Sequence, residues 1–339
     1  MSYILVTGGL GFIGSHTVVE LLQENYKIII IDNLVNSSLD VLQKIQNITN
    51  RRDILFFNID IRDSLKLENL FIEYKINLVI HFAALKAVSE SIKEPLKYYD
   101  YNISGTINLL NVMKRNDCKK LIFSSSATVY GDNIYPVNEE SSIGKGITNP
   151  YGQTKYMIEQ ILQDLYISNN DWSITILRYF NPIGAHPSGL LGENPNNIPS
   201  NLFPYLLKVS TGKLSSLNIF GKDYDTPDGT CIRDFIHVVD LAKGHVKATE
   251  SIFNLEKDRK INIYNLGTGK GTSVKELIET FEKVNNIKIT YNFIERREGD
   301  LPCVYTKTDK SLKELDWNCN YNIEDMCKHG YNYIKNKVL

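Results

Sequence analysis

The sequence is short of most features that mark the specialised protein classes. Its 339 residues carry 38 Lys and Arg against 39 Asp and Glu, a formal net charge of −1, and the basic residues form no block. Without a basic patch there is no electrostatic footprint for non-specific nucleic-acid binding, so no nucleic-acid partner is expected and any anionic ligand must be held locally. No window approaches 18 uninterrupted apolar residues, and the opening "MSYILVTGG" has neither a basic n-region nor a long apolar run, which argues against a membrane span or a secretory leader. The expectation is a cytoplasmic chain with no membrane partner. The five cysteines (Cys118, Cys231, Cys303, Cys319, Cys327) are odd in number and make no Cys-x-x-Cys pair, a pattern that fits neither a disulfide framework nor structural zinc. Reduced thiols and no metal are expected, and His186, His237 and His245 read as structural.

What is present is the composition of an ordinary globular chain, 42% hydrophobic and 23% charged, with room for one large or two medium domains. Short β-branched runs recur: "YILVT" at 3–7, "KIIIID" at 27–32, "ILFFN" at 54–58, "LVIHFA" at 78–83, "KLIFSSS" at 120–126 and "SITILRYF" at 173–180. Runs that do not alternate polar with apolar suit strands buried on both faces of a parallel sheet. Between them, "SHTVVELLQEN", "SGTINLLNVMKRND" and "TKYMIEQILQDLYISN" space apolar residues as helices do. The fold class expected is α/β: a Rossmann-type, doubly wound parallel sheet over 1–180, joined by part of 236–267. From Asn181 onward Pro and Gly become frequent, and 181–339 is expected to be mainly a smaller α/β substrate-binding region. It contains a strand-like "INIYNLG" at 261–267 and a helical segment at 272–285.

"LVTGGLGFIGSH" places Gly8, Gly11 and Gly14 between the first strand and the first helix. Glycines there allow a tight turn and close backbone approach to a pyrophosphate, which the positive end of the helix then holds. Asp32 closes the second strand, where a carboxylate can accept from adenosine ribose hydroxyls. It repels a 2′-phosphate, and no Arg follows within "DNLVNSS", so NAD is expected rather than NADP. Asp60, after the third strand, can accept from an adenine amino group or cap the next helix.

Three Tyr residues, Tyr151, Tyr331 and Tyr333, have a Lys four positions later, about as many as chance supplies at this composition. Position separates them. Tyr151 and Lys155 fall on one helix face, downstream of "SSSATVYG" at the end of the fifth strand, where open α/β sheets bind ligands. A phenol near pKa 10 must come down by about 3 units, roughly 4 kcal/mol, to act as a base at neutral pH. A neighbouring ammonium and a cationic nicotinamide can provide that. Ser126 can bond the reacting hydroxyl, whereas Ser124 and Ser125 read as strand-end polar groups. Tyr331 and Tyr333 read as residues of a tail beyond the fold.

These features together identify the chain as a member of the extended short-chain dehydrogenase/reductase superfamily. "HFAALKAVSES", "FSSSATVYGD", "LRYFNPIGAHPSG", "DGTCIRDFIHVVDLA", "YNLGTG" and "RREGDLP" are similar, within it, to the UDP-glucose (UDP-galactose) 4-epimerase family, over Gly8 to about Val304. The resemblance implies an NAD-dependent enzyme that inverts C4 of a UDP-hexose through a transient 4-keto sugar, with Tyr151 as base and acid, Lys155 lowering its pKa, and Ser126, with Thr128, bonding the hydroxyl. It implies tightly bound NAD, regenerated each turnover, held by Gly8, Gly11, Phe12, Ile13, Gly14, Asp32, Asn33, Asn36 and Ser37, by Asp60, Ile61, Phe82, Ala83, Lys86 and Asn102, and by Ser126, Tyr151, Lys155 and Phe180. For the nucleotide sugar it implies Lys86, Asn181, Asn201, Leu202, Arg233, Arg297 and Asp300, with backbone or apolar contacts at Asn218, Ile219 and Phe220. Two arginines in Gly- and Pro-rich segments can clamp a diphosphate or pair with surface acids; Lys86 can sit near ribose and phosphate or in solvent.

Ala84 and Tyr101 depart from the family pattern. Four residues after Asp300 some members carry a bulky Tyr that closes the sugar pocket; here it is Val304, so UDP-N-acetylglucosamine and UDP-N-acetylgalactosamine are expected as substrates too. A 4,6-dehydratase would need an Asp-Glu pair where Ala127-Thr128 stands, and a non-enzymatic NAD-sensing regulator could dispense with the Tyr, the Lys and the clamp. The apolar stripes of 102–114 and 151–167 suit a homodimer, as in the family, or the chain's own core.

Overall fold

Four consecutive isoleucines, Ile28–Ile31, are all buried, which requires a strand covered on both faces. The structure is a computed structural model describing residues 2–195, 199–254, 260–297 and 299–338. Its first half alternates β1 (Tyr3–Thr7), α1 (Phe12–Gln23), β2 (Ile28–Ile31), α2 (Asp40–Thr49), β3 (Leu55–Phe57), α3 (Ser64–Glu73), β4 (Ile76–His81), α4 (Val88–Lys93), α5 (Pro95–Tyr98), a π-turn at Tyr99–Ser104, α6 (Gly105–Arg115), β5 (Lys120–Ser126), α7 (Pro150–Ser168) and β6 (Ser173–Tyr179). The second half holds β7 (Asn181–Ile183), α8 (Leu202–Ser210), β8 (Leu217–Phe220), β9 (Ile232–Arg233), β10 (Phe235–His237), α9 (Val238–Asn254), β11 (Ile261–Leu266), β12 (Thr272–Ser273), α10 (Val274–Asn285), β13 (Tyr291–Ile294), β14 (Cys303–Val304), α11 (Asp309–Leu315) and α12 (Ile323–Val338).

Seven strands form one sheet in the order β11-β6-β5-β4-β1-β2-β3, every neighbouring pair parallel. β11 therefore leaves the second half of the chain to complete the sheet beside β6. Alternation within each strand feeds two apolar layers. Ile4, Val6, Ile28 and Ile30 pack with α1 and α9 residues such as Val18 and Leu241, while Leu5, Ile29 and Ile31 pack with α3, α6 and α7 through Leu70, Val112 and Ile158. Burying each such side chain is worth about 1.5–3 kcal/mol. A third core joins α8, α10 and α12 to β8 and β10, and the short β8–β13 and β12–β9–β14 sheets complete this part.

Strand order reverses at β1, which has β2 and β3 on one side and β4 on the other, so the cleft opens past the carboxyl ends of β1 and β4. Helix starts follow local chemistry. Asn149 accepts from the Gly152 N–H at 2.9 Å with Pro150 in the first turn, so α7 begins just before Tyr151. Asp63, not Asp60, caps α3 by accepting from Lys66 N–H. The expected tail at Tyr331 and Tyr333 is also corrected: both lie in α12, and Tyr333 is only 3% exposed, because the helix docks its apolar side on α8 and β10 rather than ending in solvent.

Candidate active site

The turn after β1 can only be made by glycine. Gly8 sits at φ +67°, and a Cβ on it would lie 2.8 Å from the Ala83 nitrogen; a side chain on Gly14 would strike the Gly8 carbonyl. Gly11 is the N-cap of α1 and has no side-chain cap, which leaves the first helical N–H groups facing the cleft for a phosphate. Asp32 is buried and accepts from Leu10 N–H (3.1 Å), Leu34 N–H (3.0 Å) and the Ser37 hydroxyl (2.7 Å). An ionised carboxylate offers about four lone-pair sites, so it can still accept a ribose hydroxyl. Further along, Asp60 accepts from Arg62 through Nε at 3.0 Å and Nη2 at 2.8 Å, and from Asn33 Nδ2 at 2.9 Å. These bonds hold its carboxyl far below the usual range. Arg62 also lies 3.6 Å from the Tyr101 ring centroid, so Tyr101 serves as a platform at the far end of the cleft.

Tyr151 and Lys155 meet the cleft from the first two turns of α7. The Lys155 Nζ donates to the Ser124 carbonyl at 2.7 Å and lies 5.9 Å from the Tyr151 ring centroid. Two N–H groups of the ammonium remain for a ligand. Burial pulls Lys155 down to about 7, opposed by Glu159. Burial pushes the Tyr151 phenol up, and a hydrogen bond with the Ser126 side chain works the other way. Ser126 Oγ also accepts from Thr128 N–H at 3.3 Å. The Thr128 hydroxyl is buried without a partner among the described residues, as a group reserved for a ligand would be.

Outside that cleft, β14 pairs with β9 so that Val304 lies directly opposite Arg233. Arg233 donates to the Leu301 carbonyl at 2.8 Å and approaches Asp300 at 3.7 Å. Arg297 stacks over Phe220 at 4.1 Å. Arg233 and Asp300 thus lie together beside Val304, a cation and a carboxylate of the kinds that hold a diphosphate and a hydroxylated group, and neither they nor Val304 line the cleft that holds Tyr151.

The profile of the NAD-dependent epimerase/dehydratase family matches residues 4–267. The chain belongs to this family. It is similar throughout to the UDP-glucose 4-epimerases of Bacillus subtilis, 49% identical over 99% of this chain and 97% of that one, and of Haemophilus influenzae, 51% identical over 98% and 97%. Among solved structures, that of UDP-glucose 4-epimerase from Bifidobacterium longum in complex with NAD+ and UDP superposes with a TM-score of 0.94, at 47% identity, covering 100% of this chain and 99% of that chain. NAD is the family's cofactor, and the glycine turn, the free end of α1 and Asp32 fit it.

Within the family cleft the structure gathers Gly8, Gly11, Phe12, Ile13, Gly14, Asp32, Asn33, Asn36, Ser37, Asp60, Ile61, Phe82, Ala83, Lys86, Tyr151 and Lys155, with Asn201 and also Ala84. Other expected residues stand off its wall. Asn102 is fully buried and spends its amide on Leu85 N–H (2.8 Å), the Leu85 carbonyl (3.1 Å) and Thr154 (3.0 Å), bracing the loop after β4 from behind. Phe180 packs in a small core with Tyr130 and Val304, and Ile219 and Leu202 belong to the third core. Asn218 is exposed on β8, and Asn181 pairs through its backbone with Asp234. Lys86 is exposed but not free, for it pairs with Glu193 at 2.7 Å.

Several lining residues escaped the sequence reading: Ser124, Tyr179, Glu193 and Tyr333. Ser125, read as a strand-end polar group, donates to the buried Glu159 at 2.5 Å. The spacing held one clue. Glu159 follows Lys155 by four residues and Tyr151 by eight, which puts an acid on the inner stripe of a helix whose other inner residues are apolar.

Proposed function

We propose that the protein is a UDP-glucose 4-epimerase, interconverting UDP-galactose and UDP-glucose through a transient 4-keto sugar. The observation that carries this reading is that Tyr151 and Lys155, with Ser126 bonded to the phenol, line the same cleft as the glycine turn and Asp32. Tyr151 takes the proton of the sugar 4-hydroxyl and returns it after the sugar has turned over in the site. Ser126 and Thr128 hold that hydroxyl. Lys155 lowers the phenol's pKa, while Arg233 and Arg297 hold the diphosphate and Asp300 accepts from the uridine ribose. Bound NAD+ supplies the acceptor for the C4 hydride and gives it back to the opposite face, so no external redox partner is needed. Residues 1–180, with part of 236–267, serve the dinucleotide, and 181–339 mainly the nucleotide sugar.

The proposal extends to the N-acetyl substrates. Val304 faces Arg233 across two strands, and a side chain of its size leaves the bordering space wider than a Tyr would. It extends also to a cytoplasmic homodimer. Most of the α6 and α7 stripes are core, with Leu109, Val112, Ile158 and Leu162 all buried. Ile92, Leu96, Ile107 and Met157 stay exposed on α4 to α7, Leu96 at 81%, and a second copy would cover them. No helix among the described residues is long and apolar enough to cross a membrane.

The test is direct. Purified protein is examined for bound NAD(H) by absorbance and fluorescence, then assayed on UDP-galactose and on UDP-N-acetylgalactosamine, with its mass measured by light scattering. No turnover of UDP-galactose by NAD-loaded protein refutes the epimerase reading; no turnover of the N-acetyl pair refutes only the wider specificity.

A further inference from the structure

The proposed reaction leaves one set of buried polar groups unused, directly behind the catalytic helix. Glu159 on α7 and Arg178 on β6 are 0% and 1% exposed. Arg178 donates to Glu159 through Nε at 3.0 Å and Nη2 at 2.7 Å, and through Nη1 to the Tyr130 hydroxyl at 2.9 Å. Tyr130 in turn donates to Asn265 at 2.7 Å. The Glu159 neighbours on its helix, Ile158 and Leu162, are apolar core. Stability does not explain an ion pair there, since a buried pair can often be replaced by apolar groups without loss. Its position does. The same carboxylate accepts from Ser125 at 2.5 Å, one residue from Ser124, which receives Lys155, and one from Ser126, which bonds Tyr151.

We propose that Glu159, fixed by Arg178, is a positioning residue for the acid–base pair: its carboxylate clamps the end of β5, which receives Lys155 and bonds Tyr151, to the catalytic helix and favours the charged form of the Lys155 ammonium. This rests on reading Tyr151 and Lys155 as that pair. Among the described residues, the groups facing Lys155 are few. Tyr151 stands on its own helix, Ser124 offers a carbonyl from β5, and His81 on β4 is held neutral, at about 3, by burial and by the Lys155 charge. From β6 come Tyr179, whose hydroxyl is taken by His245, and Arg178, whose guanidinium is turned to Glu159. From α5, Tyr98 hydrogen-bonds Glu90 and the Ala87 carbonyl. Glu159 is thus the anion among them that favours a charged lysine. Burial makes Lys155 lose its proton more readily than Tyr151, which works against a phenol that must act as the base; the carboxylate opposes that loss without cancelling it.

The test compares wild type, Glu159→Gln and the double variant Glu159→Gln/Arg178→Met, each with its NAD content and melting temperature recorded, by the pH dependence of kcat on UDP-galactose. The basic limb marks loss of the lysine proton. In both variants it is expected to move down by about one unit, with KM for UDP-galactose within about twofold of wild type, and Glu159→Asp is expected to recover part of the shift. The double variant removes the stranded guanidinium, so a fold that fails in the single variant can still be read. Basic limbs that superpose on wild type, even at reduced kcat or melting temperature, overturn the proposal and leave Glu159 a structural residue. A wild-type protein that turns over no UDP-galactose sinks the underlying reading instead, before any substitution is made.

Discussion

Replacing Lys155 with Met removes the cation beside the phenol while keeping most of the side-chain volume. The Nζ lies 5.9 Å from the Tyr151 ring centroid. Taking the phenolate charge at the ring centre, with an effective dielectric near 20, a unit charge favours the phenolate by about 3 kcal/mol, or about 2 pK units. The variant's phenol is therefore about 2 units harder to ionise, and kcat on UDP-galactose at neutral pH is expected to fall about 100-fold. Because the loss is one of ionisation, activity should recover about tenfold per pH unit toward a plateau displaced by about 2 units. The Ser124 carbonyl loses its donor, a buried defect of about 1–3 kcal/mol that lowers the melting temperature but not in a pH-dependent way. The assay is a kcat profile over pH 6 to 10 on protein whose NAD content has been measured. A loss by the same factor at every pH, or one accounted for by missing NAD, refutes the electrostatic role.

Three further outcomes are expected. Tyr151→Phe keeps the ring and removes the proton carrier, so kcat should drop by about 10²–10⁴ with bound NAD and melting temperature unchanged; retention of more than a tenth of wild-type kcat removes Tyr151 from the chemistry. Val304→Tyr should suppress turnover of UDP-N-acetylgalactosamine while sparing UDP-galactose, and an equal effect on both pairs would show that the position does not sort substrates. Acid should destabilise the fold. His16, His81 and His245 are held by burial at about 4, 3 and 4, so the unfolded chain binds protons below about pH 6.5 that the folded one refuses, and stability falls from there toward pH 4. Each contributes a loss of about 2 kcal/mol at pH 5, partly offset by Glu20 and Asp234, which burial pushes up to about 6 and which each gain about 1 kcal/mol. A melting temperature unchanged between pH 7 and pH 5 contradicts this balance.

The sheet was legible because burial on both faces leaves an unmistakable composition. "YILVT" and "KLIFSSS" match β1 and β5 residue for residue, and Gly8 and Gly14 stand where a side chain would strike the neighbouring backbone. The region proposed for the nucleotide sugar was legible only through resemblance. Its strands, β9 and β14, are two residues each, too short for a periodic pattern, and their pairing joins segments about seventy residues apart. Asn102 shows the opposite failure. A polar residue beside a cofactor loop and a polar residue that holds the loop from behind look alike in sequence, and only its three bonds to Leu85 and Thr154 tell them apart.

The Tyr-x-x-x-Lys spacing shows why local pattern cannot rank sites. The sequence puts Tyr333 in a tail, yet it is buried, packs on Gly192 and lines the same cleft as Tyr151. Burial raises both phenols, so neither enclosure nor proximity to the cleft distinguishes them. The difference is what surrounds each. Tyr151 has Ser126 on its hydroxyl and, one turn on, an ammonium anchored to the strand end and backed by a buried carboxylate. Tyr333 has the carboxylates of Asp40 and Glu193 nearby, which push its phenol further up, to about 12. An environment of anions keeps a phenol protonated and inert, whereas one with a fixed cation prepares it to give up a proton, and that contrast supports the proposal that the chemistry belongs to Tyr151.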